Sequence, residues 1–267
     1  MEIFRKMSFA DSTGDAIPFY HEGKYHIFSL TSPPGTTVYP ERLRTTWSHS
    51  ISDDLVHWQE LPTALYPGEG DEPDASGVWT GSVIYGEGQY HAFYTGYCLT
   101  AEFQQTICHA TSDDGITWTK DIANPVITPM TELYEKLDWR DPYVFYNEED
   151  ENYWILISAR RLDMPVTRRG CIVLYRSKNL KDWTYYGPIY SPGHTNCPEC
   201  PEMYKMGGHW YLSYSRFSEF VNTIYRVSES PFGPWRKPKK DGIGGRRFYA
   251  AKSCLLYTSP SPRDKRQ

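Results

Sequence analysis

The sequence predicts an all-β, five-bladed β-propeller with four blades complete and the fifth only begun. Three observations carry that expectation. First, a turn followed by an aromatic-rich alternating strand occurs four times: EGKYHIFSL from Glu22, GEGQYHAFYTG from Gly86, EDENYWILISA from Glu149 and MGGHWYLSYSR from Met206. Second, a strand running into a polar turn with a Trp beyond it occurs four times, as SISDDLVHW, TSDDGITW, RSKNLKDW and VSESPFGPW. Third, the two elements alternate strictly, with the closing residues Trp58, Trp118, Trp183 and Trp235 spaced 60, 65 and 52 apart.

Each element follows from local chemistry. Charged, Asn and Gly residues make the turns, and the apolar alternation after them has the period of a half-buried strand. A unit of this length holds about four short strands, and radially packed four-stranded sheets bury faces that one sheet leaves open. A β-sandwich gives no reason for Trp to recur at one place in every unit, and no long segment has the 3.6-residue period a helical solenoid needs. A fifth unit starts at residues 246–253. The text then changes to CLLYTSPSPRDKRQ, which lacks the repeat and resembles translated adapter readthrough. The expected division is therefore an incomplete propeller over 1–253 and a non-native or disordered tail over 254–267.

Composition narrows the function. A formal net charge of -5 argues against nucleic acid, whose phosphates call for a basic surface. No stretch is long and apolar enough to span a membrane, and the amino terminus lacks the apolar run of a secretory signal, so cytoplasmic residence is expected. Cys197 and Cys200 form a C-x-x-C pair with no second pair or suitably spaced His, so the six cysteines are expected to be buried free thiols rather than a zinc site. Nine Trp and 22 Tyr fill cores, and their ring faces also suit the C–H surface of sugars.

The candidate chemistry lies on the first strand of each unit. In a propeller that strand lines the central channel, so residues at its start converge on one mouth. Asp15 lies 10 residues before Tyr25, Asp141 lies 12 before Tyr153, and Glu199 lies 11 before Trp210; the second unit has Trp79-Thr80-Gly81-Ser82 instead. Facing carboxylates are what glycosidic-bond cleavage needs: one protonates the departing oxygen, and the other attacks the anomeric carbon or activates water. Glu199 has the longer reach and is the candidate general acid, with Asp15 as nucleophile and Asp141 on sugar hydroxyls. Arg140 is placed to hold a carboxylate or bind substrate. Glu202 is expected on the opposite strand face from Glu199, Asp11 in a lead-in loop, and Asp53, Asp54, Asp113 and Asp114 in turns.

These segments resemble the catalytic propeller of glycoside hydrolase family 32, the invertase, levanase and inulinase group. The similar stretches are WSHSISDDLVHWQELPTAL (47–65), VWTGSVIYGEGQYHAFYTG (78–96), WRDPYVF (139–145), ECPEMY (199–204) and FYAAKS (248–253). The resemblance implies Asp15 as nucleophile, Glu199 as acid/base and Asp141 as stabiliser of the transition state. It also implies Arg140, Trp79, Ser82 and His49 as sugar contacts, although His49 fits a structural place equally. The family's first motif reads Trp-Met-Asn-Asp-Pro-Asn-Gly, where this chain has STGDAIPFYH, so the Asn and Trp that shape the fructose pocket are absent. Glu202 replaces a usual Asp.

The activity implied is hydrolysis of terminal β-fructofuranosyl linkages with retention, in sucrose, sucrose phosphate or short fructans. It needs no cofactor and no metal, and its partner is a small oligosaccharide or disaccharide. The alternatives are an inverting family 43-like arabinosidase or xylosidase, a transfructosylase, and a non-catalytic sugar-binding propeller. Oligomeric state is not written in these residues.

Overall fold

The computed structural model describes residues 12–36, 38–217, 220–245 and 247–254. Asp11 and the tail beyond Cys254 lie outside the described residues. Among the described residues, sixteen strands form four four-stranded antiparallel meanders, divided between two compact units. Unit 1 (residues 1–126 with 253–267) holds blade 1, with β1 (Thr13–His21), β2 (Lys24–Thr31), β3 (Thr46–Ser52) and β4 (Gln59–Leu65). Its blade 2 has β5 (Gly77–Gly86), β6 (Gln89–Tyr97), β7 (Gln105–Ser112) and β8 (Thr119–Lys120). Unit 2 (127–252) holds blade 3, with β9 (Arg140–Asn147), β10 (Asn152–Arg160), β11 (Gly170–Ser177) and β12 (Thr184–Tyr190). Its blade 4 has β13 (Glu199–Met206), β14 (His209–Arg216), β15 (Asn222–Ser228) and β16 (Gly242–Ile243).

The repeated turns set the register. Blades 1, 2 and 4 join their first two strands by two-residue turns in which both residues have positive φ: Glu22-Gly23 (46° and 81°), Glu87-Gly88 (51° and 84°) and Gly207-Gly208 (56° and 82°). Such turns carry the twist that antiparallel strands need, and glycine takes the second position without a Cβ penalty. Blade 3 uses a longer connection between Asn147 and Asn152. The second repeat element is a side-chain-capped turn. Ser52 Oγ accepts from the Leu55 amide, and Asp54 Oδ1 accepts from Val56 and His57 at 2.8 and 2.7 Å. Asp114 and Asn179 do the same in blades 2 and 3. The backbone donors of Thr117 and Ile116 hold the Asp114 carboxyl down to about 2. Asp54 and Asp114 are thus turn residues, as their sequence setting implies.

Each unit has its own core. In unit 1, Ile17, Phe28, Trp47 and Leu65 from blade 1 pack with Val78, Ala92, Tyr94 and Ala110 from blade 2. In unit 2, Trp154, Leu156, Ile172 and Leu174 pack with Met203, Trp210, Leu212 and Ile224. Cys98, Cys108, Cys171, Cys197 and Cys200 are buried free thiols.

Blades 1 and 2 repeat a buried imidazole stack. His26 Nδ1 lies 3.0 Å from His49 Nε2, and His91 Nδ1 lies 2.9 Å from His109 Nε2. Phe28 stacks on His49 at 4.1 Å, and Phe93 on His109 at 4.6 Å. The two stacks differ at one residue. Asp121 Oδ2 sits 3.1 Å from His109 Nδ1, whereas Leu61 stands opposite His49, whose Nδ1 has no partner among the described residues. Burial, with His21 and Lys24 nearby, pushes His26 down to about 4; burial, with His26 beside it, pushes His49 down to about 3.

Both rings are therefore neutral in the folded protein at a pH where the unfolded chain, titrating near 6.5, takes up protons. Their contribution is fully present above about pH 6.5 and is lost as pH falls through about 4 for His26 and about 3 for His49. Thermal unfolding followed by circular dichroism is expected to show a falling midpoint across that window. The double variant His26→Phe/His49→Phe is expected to flatten the fall; curves that stay parallel would remove these histidines as its cause.

Candidate active site

The first strand of every blade carries one extra residue near its start, so the ladder to the second strand slips by one. In β1, Gly14 faces Leu30 and Ala16 faces Ser29, leaving Asp15 as the bulged residue. In β5, Val78 faces Gly96 and Gly81 faces Tyr94. In β9, Arg140 faces Ser158 and Tyr143 faces Leu156; in β13, Glu199 faces Ser215 and Glu202 faces Ser213. Bulges of this kind bend a strand and re-aim a side chain.

Counting from the second hairpin pair, Asp15, Thr80, Asp141 and Cys200 occupy equivalent places, each five residues before Tyr20, Tyr85, Tyr146 and Lys205 respectively. Glu199 falls one position earlier, level with Trp79 and Arg140. The longer hairpin of blade 3 accounts for the larger sequence count of Asp141. Asp141 and Cys200 have φ of 56° and 49°, an uncommon left-handed conformation for residues other than glycine, held by the surrounding sheet.

Neighbouring first strands pack side by side within each unit, β1 with β5 and β9 with β13. In unit 1 this lets the Thr80 hydroxyl donate a short hydrogen bond to Asp15 Oδ2, while the Thr80 carbonyl accepts from Thr95 Oγ1 at 3.0 Å. In unit 2 the Cys200 amide donates to Asp141 Oδ2 at 2.9 Å. The two contacts join equivalent bulge positions of adjacent blades. Asp141 is buried at 5% exposure, and a backbone N–H aimed at its carboxylate fixes its orientation.

Arg140 gathers the rest of unit 2's acids. Its guanidinium lies 2.6 Å from Glu199 Oε1, makes a short bond to Asp138 Oδ1, and reaches within 3.8 Å of Asp141 Oδ2 through Nε. The same NH2 that meets Glu199 donates to Cys197 Sγ at 3.5 Å. Burial works against the charge of Arg140, but the carboxylates of Asp141, Glu199 and Asp138 more than reverse it, so the guanidinium is held protonated. Burial pushes the Cys197 thiol well up, against the pull of Arg140, so it stays uncharged. Trp79 stacks on Tyr97 at 4.1 Å and donates from Nε1 to the Leu43 carbonyl at 3.0 Å.

The structure thus brings Arg140, Asp141 and Glu199 together and sets Asp15 against Thr80, one residue from Trp79. Ser82 lies past the bulge, opposite Phe93 and buried. His49 sits in the blade 1 core at 0% exposure, stacked on Phe28, so its role there is packing. Its recurrence was readable in the sequence: His49 and His109 each stand three residues before the turn serines Ser52 and Ser112. Glu202 corrects the expectation for an unbroken strand. Its partner Ser213 shares a face of β14 with Ser215, the partner of Glu199, so the bulge turns both glutamates to one side. Glu202 is buried there and accepts from Ser213 Oγ at 3.4 Å. Thr80 and Asp138 are the site residues that sequence reasoning passed over.

Residues 15–241 match the N-terminal domain of glycosyl hydrolases family 32. The chain belongs to this family. It is 33% identical over 198 residues to a levanase of Bacillus subtilis, covering 70% of this chain and 26% of the levanase. It is 32% identical over 202 residues to a raffinose invertase of Escherichia coli, covering 72% and 39%. To a sucrose-6-phosphate hydrolase of Zymomonas mobilis it is 27% identical over 256 residues, covering 87% and 48%. The chain therefore spans about half, or less, of the length of these relatives. Among solved structures, the sucrose-6-phosphate hydrolase from Lactobacillus gasseri matches with a TM-score of 0.68 at 26% identity, covering 82% of this chain and 45% of that one. Fructan 1-exohydrolase IIa from Cichorium intybus matches in fold with a TM-score of 0.70 at 24% identity, covering 85% and 44%. The fold is the family 32 all-β propeller type, with four complete blades in this chain.

The bulge of β5 leaves no room for a side chain at Gly81, where a Cβ would lie 2.0 Å from the Phe93 carbonyl oxygen. Gly81→Ala is expected to lower stability by about 2–4 kcal/mol, because the clash is with backbone and not with a side chain that can turn aside. Urea unfolding measures it; a loss below about 0.5 kcal/mol would show that β5 is not so tightly pinned.

Proposed function

We propose that this family 32 chain is the catalytic propeller of a retaining β-fructofuranosidase acting on terminal fructosyl linkages. Asp15 attacks the anomeric carbon while Glu199 gives its proton to the departing glycosidic oxygen, leaving a fructosyl ester on Asp15. Glu199, now ionised, takes a proton from water as the water attacks the same carbon, and fructose leaves with its β configuration restored. Asp141 holds fructosyl hydroxyls, and Trp79, Arg140 and Ser82 complete the sugar contacts. No cofactor enters, because Glu199 handles both proton transfers and Asp15 supplies the nucleophile.

The observation that carries the reading is the Arg140 cluster, which sets Glu199 and Asp141 around one guanidinium at bulged strand starts. The names of the relatives, a levanase, a raffinose invertase and a sucrose-6-phosphate hydrolase, point to fructosides both plain and phosphorylated. We also assign residues 247–253 to the lead-in of a fifth blade. In support, the Thr223 amide donates to the Phe248 carbonyl at 2.8 Å, and Ser215 Oγ takes the Ala250 amide at 2.9 Å.

Glu199→Gln keeps the shape of the side chain and removes its proton chemistry. It is expected to cut kcat on sucrose, sucrose phosphate or kestose by about 10²–10⁴-fold while KM changes little. Proton NMR of the first product should show β-fructofuranose before mutarotation. Unchanged turnover in Glu199→Gln would assign the acid role elsewhere; an α-configured first product would replace retention by inversion.

A further inference from the structure

Six side chains of unit 2 form a chain of alternating charge that ends on Glu199. Arg169 pairs with Glu135 Oε1; Arg160 Nε lies 3.1 Å from Glu135 Oε2, close in charge though poorly aligned as a hydrogen bond. Arg160 NH1 lies 3.3 Å from Asp138 Oδ2, the other oxygen of Asp138 takes Arg140, and Arg140 takes Glu199. Side-chain exposure along the chain runs from 11% to 22%, so solvent screens these contacts only partly. The far end is tied to backbone: Arg160 NH2 donates to the Val166 carbonyl at 3.0 Å, and Arg169 Nε to the Met164 carbonyl at 2.7 Å.

We propose that Asp138 is a positioning residue for Glu199, acting through Arg140, and that Arg160 and Glu135 hold it in place. The inference rests on the fructosidase reading for its consequence, not for its geometry. Asp138 is shared by the guanidiniums of Arg160 and Arg140, and is the carboxylate of the chain that meets Arg140 directly. It fixes the Arg140 fork on one side, which sets where the other prong meets Glu199. It also shares the charge of Arg140 with Glu199, one guanidinium nitrogen facing each carboxylate. The other groups that meet Arg140 are Asp141 on β9 and the uncharged Cys197 ahead of β13.

Alternation gives opposite signs to two substitutions. Asp138→Asn leaves Arg140 with one acid fewer, so it pulls harder on Glu199, and the alkaline limb of kcat should move to lower pH. Arg160→Gln releases Asp138 to pull on Arg140, so the same limb should move to higher pH. In Asp138→Asn, kcat is expected to fall about 10–100-fold with KM within a few-fold, and Asp138→Glu should recover part of it.

The experiment measures pH profiles of kcat and KM for the full chain and these variants, with melting curves alongside. Shifts of opposite sign support the proposal; shifts of the same sign, or a lowered melting temperature with an unmoved limb, overturn it. A ¹³C titration of the Glu199 carboxyl in wild type, Asp138→Asn and Arg160→Gln needs no turnover. If the wild type cleaves no fructoside, the enzyme reading fails on its own, while midpoints displaced in opposite directions still support the positioning role and unmoved midpoints overturn it. Should Asp138→Asn fail to fold, Arg160→Gln carries the same test.

Discussion

One extra residue in a β-ladder is the constraint on which the described site depends. A strand alternates its faces with period two, so a single inserted residue reverses which side chains share a face from that point on. All four first strands of the chain take that step at the same distance from their hairpins. Asp15 and Asp141 stand at the step itself. Glu199 stands one residue before it, level with Arg140, which explains why those two side chains meet across neighbouring strands. The fit also needs Gly81, because the backbones of β5 and β6 approach too closely there for any Cβ.

Electrostatics then decides how the acids of unit 2 coexist. Asp138, Asp141 and Glu199 share one largely buried guanidinium, and Asp141 also takes a backbone N–H from the next bulge. Removing one partner of such a pair costs about 3–5 kcal/mol, since a lone charge is then left away from water. The arrangement therefore constrains orientation as much as it contributes stability. Unit 1 solves the same problem with a neutral donor, the Thr80 hydroxyl on Asp15. The equivalent contact in unit 2 is the Cys200 amide on Asp141, so one backbone position supplies the donor by side chain in one pair of blades and by main chain in the other.

The blades were legible because their turns are local chemistry. Glu-Gly and Gly-Gly hairpins, and Ser-x-Asp turns with side-chain caps, specify strand ends whatever the rest of the chain does. The acids were legible too, because counting back from the hairpin aromatics brings each to the start of a first strand. The bulges were not. Nothing in the short runs around Asp15, Thr80, Asp141 and Cys200 distinguishes a slipped ladder from a continuous one, so strict alternation puts Glu202 on the wrong face and gives Thr80 no signal of its own. His49 was ambiguous for another reason. Its motif looks like a functional signature, yet blade 2 repeats its spacing around a buried stack, which marks packing.

The most direct test of the account follows the fructosyl group itself. Glu199→Gln can be mixed with an activated β-fructofuranoside, quenched in acid, digested, and mapped by peptide mass. Because the nucleophile is assigned to the bulge of β1, the account predicts one added fructosyl unit on the peptide containing Asp15. A fructosyl unit on the peptide of Asp141, or on any peptide lacking Asp15, would contradict it.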